Sequence, residues 1–178
     1  MASNSTRKLV FLSLLVALSI VLTRLGSFRI PVGGVEAIRI GFGGLPIIFA
    51  GIFFGPLAGG VVGVISDLVG YFITPLGPYM PHFTLTSALT GVIPGLVIFY
   101  IFREKKNYFS LITSIAIGQI VSSIILVPLF LYQLFGVPFF VNFYARIVDQ
   151  AIHIPLYAYL ILVLQRNKVI NFRHEIMS

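Results

Sequence analysis

Between Arg39 and Arg103 the chain carries Asp67 as its only aspartate, glutamate, lysine or arginine. The remainder of this interval is largely apolar or glycine. A soluble fold needs charged side chains to cover its surface, and the whole 178-residue chain is 58% hydrophobic and only 10% charged. The sequence therefore predicts an integral membrane protein whose apolar segments face lipid.

Glycine and proline divide these apolar runs into helices. We expect an all-α bundle forming one membrane domain over residues 1–178, with helices at about 9–23, 45–54, 57–73, 82–102, 108–131 and 146–164. Gly55-Pro56 predicts a sharp turn, and Pro94 predicts a kink. We expect a turning loop at 24–44, a stiff loop at 74–81 and an interfacial loop at 135–144. The first run also resembles a signal peptide, but no cleavage site precedes Arg24, so we interpret it as a retained helix.

Basic residues indicate the orientation of the chain. Six spans place one group of them on the side of both termini: Arg7, Lys8, Arg103, Lys105, Lys106, Arg166, Lys168 and Arg173. That side is predicted to be cytoplasmic. The opposite side receives only arginines: Arg24, Arg29, Arg39 and Arg146. The planar guanidinium suits carboxylates, so we interpret these arginines as an anion-binding mouth; interfacial snorkelling is the alternative.

Asp67 is the residue that most needs a role. A carboxylate inside a spanning segment costs ~2.5–3.5 kcal/mol on insertion scales and generally faces a cavity or a partner. Gly59 and Gly63 precede it at intervals of four, which is typical of a helix-packing seam. For Asp67 we favour ligand binding; an internal ion pair with an arginine is the alternative.

Further polar and aromatic side chains fall within the predicted spans. They are His82, Thr84, Thr86, Ser87, Gln119, Arg146, Asp149, Gln150 and His153, together with the rings of Tyr71, Tyr79, Phe83 and Tyr157. Flat walls with a few polar groups suit a flat polar heterocycle. The plainer alternatives are an Arg146–Asp149 pair, an Asp149–His153 hydrogen bond, and interfacial anchoring by Tyr79 and Phe83.

Several classes of function lack support in the sequence. The chain has no cysteine, so a thiolate metal site is impossible, and we predict no metal or cofactor. Phosphate-loop, zinc-protease and serine-hydrolase motifs are absent, so we predict no enzyme activity. The net charge of +7 is explained by membrane orientation, so we predict no nucleic-acid partner. We expect a binding subunit that works with energised partners.

The block from Ile40 to Leu96 resembles the substrate-capturing S components of energy-coupling-factor (ECF) vitamin transporters, most of all the folate-specific members. It reads IGFGGLPIIFAGIFFGPLAGGVVGVISDLVGYFITPLGPYMPHFTLTSALTGVIPGL. The resemblance implies six membrane helices in the bacterial cytoplasmic membrane and capture of vitamin from outside. It also implies docking to a transmembrane coupling subunit with two ATPases, and movement by toppling. For docking, such proteins often carry Ala-x-x-x-Ala on the first helix; here Ser13-x-x-x-Ala17 stands in its place.

Folate, or a reduced folate, fits this arrangement of side chains. Asp67 would accept hydrogen bonds from the pterin, whose ring would stack among aromatic side chains. The glutamate carboxylates would meet the arginines. The candidate binding residues are therefore Asp67, Tyr71, Tyr79, His82, Phe83, Thr86, Gln119, Arg24, Arg29, Arg39 and Arg146. The alternatives are another vitamin (riboflavin, thiamin or a queuosine precursor), a membrane scaffold and an intramembrane enzyme.

Overall fold

The computed structural model describes residues 4–24, 27–32, 35–73, 75, 79–103 and 105–166, with the backbone alone for residues 4, 27–32, 35–40 and 166. The elements are α1 (Asn4–Arg24), β1 (Ser27–Val32), β2 (Val35–Gly41), α2 (Gly44–Phe54), α3 (Pro56–Ile73), α4 (Pro81–Leu96, continued by a π-helical turn at Val97–Ile101), α5 (Tyr108–Gln119, π-helical Ile120–Leu126, then Val127–Phe135) and α6 (Phe139–Arg166). The expected helical bundle is present. The predicted cytoplasmic residues Lys168 and Arg173 lie outside the described residues.

Five of the helices are long and apolar enough to cross a membrane: α1 from Ser5, α3, α4 with its π turn, α5, and α6 to Gln165. Their outer faces carry exposed apolar side chains such as Leu14, Leu57 and Phe109, which are suited to lipid contact. The sixth helix, α2, has 11 residues and is therefore only ~16 Å long. Its residues from Pro46 to Phe53 are all buried, so α2 forms the centre of the bundle.

The connector after α1 differs from the predicted loop. It contains an antiparallel hairpin in which Arg29 lies opposite Arg39, with a register irregularity between Ile30 and Pro31. Proline has no N–H to donate to a strand ladder, which accounts for the irregularity. The all-α prediction is thus wrong at this connector, because hydrogen bonding between two chain segments was not visible in local composition.

The predicted interfacial loop at 135–144 is also wrong. Helix α5 continues to Phe135, and α6 already begins at Phe139. Gly136 adopts a left-handed conformation with φ of 66° and ends α5, which requires only a short turn. The aromatic residues that follow are compatible with a helix, and they form its first turns.

Glycines allow three helices to approach closely. A Cβ atom at Gly59 of α3 would lie 2.6 Å from the Gly51 Cα atom of α2, and one at Gly91 of α4 would lie 2.5 Å from the Gly59 carbonyl oxygen. One turn further along α3, Gly63 packs against the backbone of Ser87 and Ala88. The predicted packing seam is therefore confirmed, and it joins α2, α3 and α4.

Gly55 and Pro56 form the predicted turn between α2 and α3, with a φ of 101° at Gly55. Two further prolines lie near π-helical turns: Pro94 precedes the turn at Val97–Ile101, and Pro128 follows the turn at Ile120–Leu126. Each proline removes one helical N–H donor, which disturbs the regular hydrogen-bond ladder. The second π-helical turn places Ser122 and Ser123 together at the cavity described next.

Candidate functional site

A cavity of about 480 Å³ lies among all six helices, within the ~300–1,000 Å³ range typical of small-molecule sites. Its wall is formed by the last turns of α1 and α3, the first turns of α2 and α4, and parts of α5 and α6. Since α1 and α3 end where α2 and α4 begin, these turns lie at one end of the bundle. The polar and aromatic lining residues are Ser19, Thr23, Arg24, Ser66, Asp67, Tyr71, Tyr79, Phe83, Thr86, Ser87, Thr90, Gln119, Ser122, Ser123, Phe135, Arg146, Asp149, Gln150 and Tyr157.

Asp67 lies on the wall formed by α3. Its Oδ2 atom accepts a hydrogen bond of 2.6 Å from the Thr84 hydroxyl of α4. The Thr84 oxygen also lies 2.8 Å from the Tyr79 hydroxyl. The Tyr79 ring contacts the ring of Tyr71 with centroids 5.3 Å apart. This wall therefore combines an acceptor with two aromatic surfaces.

Arg24 brings a positive charge to the same end of α3. Its Nη2 atom donates to the carbonyl oxygen of Gly70, which is one of the four last carbonyls of α3 that have no partner within the helix. A side chain at Gly70 would place its Cβ atom 3.3 Å from Arg24 Nη2. The glycine thus makes room for the guanidinium group beside the cavity.

The wall formed by α5 and α6 carries a second cluster of polar side chains. Arg146 Nη1 donates to Ser123 Oγ over 3.4 Å, and Gln150 Nε2 donates to the same oxygen over 3.1 Å. Asp149 Oδ1 lies 3.1 Å from His153 Nδ1, so the predicted Asp149–His153 contact is confirmed. Asp149, Gln150 and His153 are all buried. The cavity therefore has a carboxylate and an arginine on each of two sides.

Hydroxyl groups connect α4 to α5 in the wall of the cavity. The Thr90 hydroxyl lies 3.1 Å from Ser122 Oγ, and Ser122 donates to the carbonyl of Gly118 over 2.7 Å. Thr86 donates to the carbonyl of Phe83 over 2.8 Å. These contacts give the buried hydroxyl protons partners within the protein, and the Thr90–Ser122 contact joins the two helices.

The end of the hairpin closes one side of the cavity. Tyr157 of α6 donates to the carbonyl of Gly41 over 2.6 Å, and Ser19 of α1 donates to the carbonyl of Gly43 over 2.8 Å. The Phe42 ring lies against the rings of His153 and Tyr157. The chain between β2 and α2 is therefore held from two helices at once.

Most of the candidate binding residues meet in this cavity. Those that line it are Arg24, Asp67, Tyr71, Tyr79, Phe83, Thr86, Gln119 and Arg146. His82 does not line it; the exposed His82 ring packs at 4.9 Å against Phe130, since it lies on another face of α4. The side chains of Arg29 and Arg39 lie outside the described part of the chain. Ser13 and Ala17 are exposed on the outer face of α1.

Sequence reasoning missed the small hydroxyl residues of the wall, namely Ser19, Thr23, Ser66, Thr90, Ser122 and Ser123. A helical spacing of four between Thr86 and Thr90, and the position of Ser66 next to Asp67, were the available signals. Serine and threonine also occur on lipid-facing helices, where they bond to their own backbone, as Thr113 does to Phe109. Only the neighbouring helices distinguish the two cases.

Comparison with known proteins agrees with this architecture. The family described as "ECF-type riboflavin transporter, S component" matches residues 3–166. The folate transporter FolT of Clostridium novyi (strain NT) is 33% identical over 153 residues, which cover 86% of this chain and 84% of that protein. The riboflavin transporter RibU of Staphylococcus aureus (strain TCH60) is 31% identical over 126 residues, covering 69% and 62%.

Two solved structures share the fold. A crystal structure of FolT bound with folic acid superposes with a TM-score of 0.73 at 24% identity, covering 90% of this chain and 91% of that one. The structure of an S component of a bacterial ECF transporter gives a TM-score of 0.67 at 26% identity, covering 94% and 98%. From the family match and the relatives together, the chain belongs to the S-component family of ECF-type transporters.

Proposed function

We propose that this S component binds folate, or a reduced folate, in the cavity and delivers it to an ECF module for uptake. The observation that carries the proposal is a single cavity lined by Asp67, by Arg24 and Arg146, and by aromatic side chains. Folate is a donor at its pterin end and anionic at its glutamate end, so it complements these groups. The names of the C. novyi relative and of the folic-acid-bound structure support the same choice.

The pterin is assigned to the Asp67 wall. Its adjacent ring N–H and amino groups would donate two parallel hydrogen bonds to the carboxylate, and charged hydrogen bonds are stronger than neutral ones. Tyr71, Tyr79 and Phe83 offer aromatic surface for the ring system on the same side. Thr86 and Gln119 add polar contacts within the cavity.

The glutamate carboxylates are assigned to arginines. Arg24 and Arg146 line the cavity, and their planar guanidinium groups can bind a carboxylate with two hydrogen bonds. Arg29 and Arg39 occupy facing positions on the hairpin, and their participation stays a prediction. A ligand without negative charge, such as riboflavin, leaves this half of the site unused.

The membrane orientation proposed for this function has six passes and both termini in the cytoplasm, in a bacterial cytoplasmic membrane. The cavity end of the bundle then faces outward, because it contains the end of α1 and the start of α4. The partners are a transmembrane coupling subunit and its two ATPases. Ser13 and Ala17 suit close docking, since both are small and exposed on α1, the long helix with the smallest buried share, 11%.

Replacement of Asp67 by asparagine tests the assignment. An amide offers one acceptor instead of the charged pair, and two charged hydrogen bonds contribute ~1.5–3 kcal/mol each, so folate affinity should fall at least ~100-fold. Isothermal titration calorimetry of the purified protein in detergent measures the change, with circular dichroism melting as the control for folding. Unchanged folate affinity in the folded Asp67→Asn protein would refute the role of Asp67.

Riboflavin is the second candidate, because the matched family description and RibU both name it. The two ligands are separated by titrating each into the same native protein. Folate binding that is at least ~100-fold tighter than riboflavin binding supports the proposal. Tighter binding of riboflavin than of folate would assign the chain to riboflavin. It would also contradict the proposal that the arginines bind ligand carboxylates.

A further inference from the structure

Thr84 contacts the site without lining it. Its side chain is 8% exposed, and it is absent from the cavity wall, whereas its two hydrogen-bond partners, Asp67 and Tyr79, both line the cavity. Thr84 therefore does not face the space that a ligand would occupy. Any influence of its hydroxyl on binding must pass through one of these two neighbours.

The direction of this hydrogen-bond chain is fixed by counting protons. A threonine hydroxyl has one proton, and the 2.6 Å contact with the Asp67 carboxylate uses it. The Tyr79 hydroxyl must then donate to the Thr84 oxygen over 2.8 Å. The chain of hydrogen bonds runs from Tyr79 to Thr84 to Asp67, so the Asp67 Oδ2 atom is the acceptor at its end.

We propose that Thr84 is a positioning residue that gives the cavity its specificity for a ligand with adjacent N–H donors. By holding Oδ2, Thr84 stops rotation of the Asp67 carboxylate and leaves its remaining lone pairs in one fixed orientation. A pair of donors on a flat ring needs such an orientation, because both hydrogen bonds must lie in one plane. The inference rests on the folate assignment of the preceding section.

Tyr79 extends the effect to the residues just before α4. It lies just before α4 and is 40% exposed, and its ring packs against Tyr71. The segment that enters α4 is thus tied to the Asp67 carboxylate through a single threonine oxygen. Loss of the Tyr79 hydroxyl should leave Thr84 on Asp67 but remove one restraint on its position.

The test compares Thr84→Val with Thr84→Ser in the full-length protein, titrated with folate and with an analogue whose 2-amino group is replaced by methyl. Valine has the shape of threonine without the hydroxyl, so folate affinity should fall about 10-fold. The serine variant should stay within about threefold of the native protein. The analogue lacks one donor, so its affinity should be the same for all three proteins within about threefold.

Thr113→Val is the matched control, because the Thr113 hydroxyl donates to the Phe109 carbonyl of its own helix and Thr113 does not line the cavity. Its folate affinity should equal that of the native protein. Combining Thr84→Val with Asp67→Asn should add no further loss, since Thr84 acts through Asp67. If Thr84→Val fails to fold, Tyr79→Phe tests the same chain of hydrogen bonds. It should weaken folate binding about fivefold, while the affinity for the analogue stays within about threefold of the native value.

The possible failures are distinguishable. Native protein that does not bind folate overturns the proposed function and this inference together. Native protein that binds folate while folded Thr84→Val binds it equally well overturns the inference alone. Equal losses for folate and the analogue also overturn it, because they indicate general damage to the cavity rather than orientation of the carboxylate.

Discussion

The contact between Asp67 and Thr84 follows from the register in which α3 and α4 pack. Gly59 lies against Gly91, and Gly63 lies against Ser87 one turn later. The next step of four residues along α3 reaches Asp67, and a step of three residues along the antiparallel α4 reaches Thr84. The glycine seam therefore sets the distance at which the carboxylate and the hydroxyl meet.

Replacement of Gly63 by alanine should disturb that register. Its new Cβ atom would press on the Ser87 backbone and lie 3.1 Å from the Ala88 Cα atom. Overpacking of this kind costs ~1–3 kcal/mol, and the helices must separate where Thr84 reaches Asp67. We expect a lower melting temperature by circular dichroism and weaker folate binding by calorimetry.

Gly60→Ala is the control on the same helix. Its Cβ atom would meet only a side-chain methyl of Val92, at 2.8 Å, and a methyl can shift more easily than backbone. The stability loss should be smaller than for Gly63→Ala, with folate affinity retained. Equal effects of the two variants would contradict the proposed role of the seam.

The hairpin and α2 meet at a short segment that two helices hold in place. Tyr157 binds the Gly41 carbonyl and Ser19 binds the Gly43 carbonyl. The first residue of α2 follows directly, and α2 is the buried centre of the bundle. The hairpin is consequently joined to the core at its second strand through residues 41–44.

Tyr157→Phe removes one of these two restraints while keeping the buried ring. A lost hydrogen bond of ~0.5–1.5 kcal/mol should raise local backbone opening about 2- to 10-fold. Hydrogen–deuterium exchange of peptides covering residues 35–44 measures it. Tyr159→Phe, on the exposed face of the same helix, should leave exchange unchanged; equal exchange in both variants would refute the anchoring role.

The orientation of the whole molecule can be tested because the native chain contains no cysteine. Asn107 and Gln133 are exposed near opposite ends of α5. With both termini in the cytoplasm, a membrane-impermeant maleimide added to intact cells should label Gln133→Cys and spare Asn107→Cys. Labelling of Asn107→Cys alone would show the inverse orientation and place the cavity on the cytoplasmic side.

Prediction from sequence worked best where the cause is local. Gly55-Pro56 ends one helix and begins the next in any surroundings. Gly136 is a similar local signal, but it ends α5 with a short turn and does not produce the loop predicted for residues 135–144. The hairpin was missed because β1 and β2 depend on each other. The prediction that His82 binds the ligand is not supported by its position, because His82 lies on a face of α4 that does not line the cavity. The chemistry of a side chain does not reveal which face of its helix it occupies.

The sequence by itself determined that this chain is a membrane bundle, where most helices lie, and that Asp67 requires a polar environment. These follow from the cost of placing charge or unpaired backbone in lipid, which composition and spacing reveal. The tertiary structure alone decided that Asp67 meets Thr84 and that two walls face one cavity. Those contacts join turns that are distant in sequence, and their distances are set by how closely the glycine seam lets the helices pack.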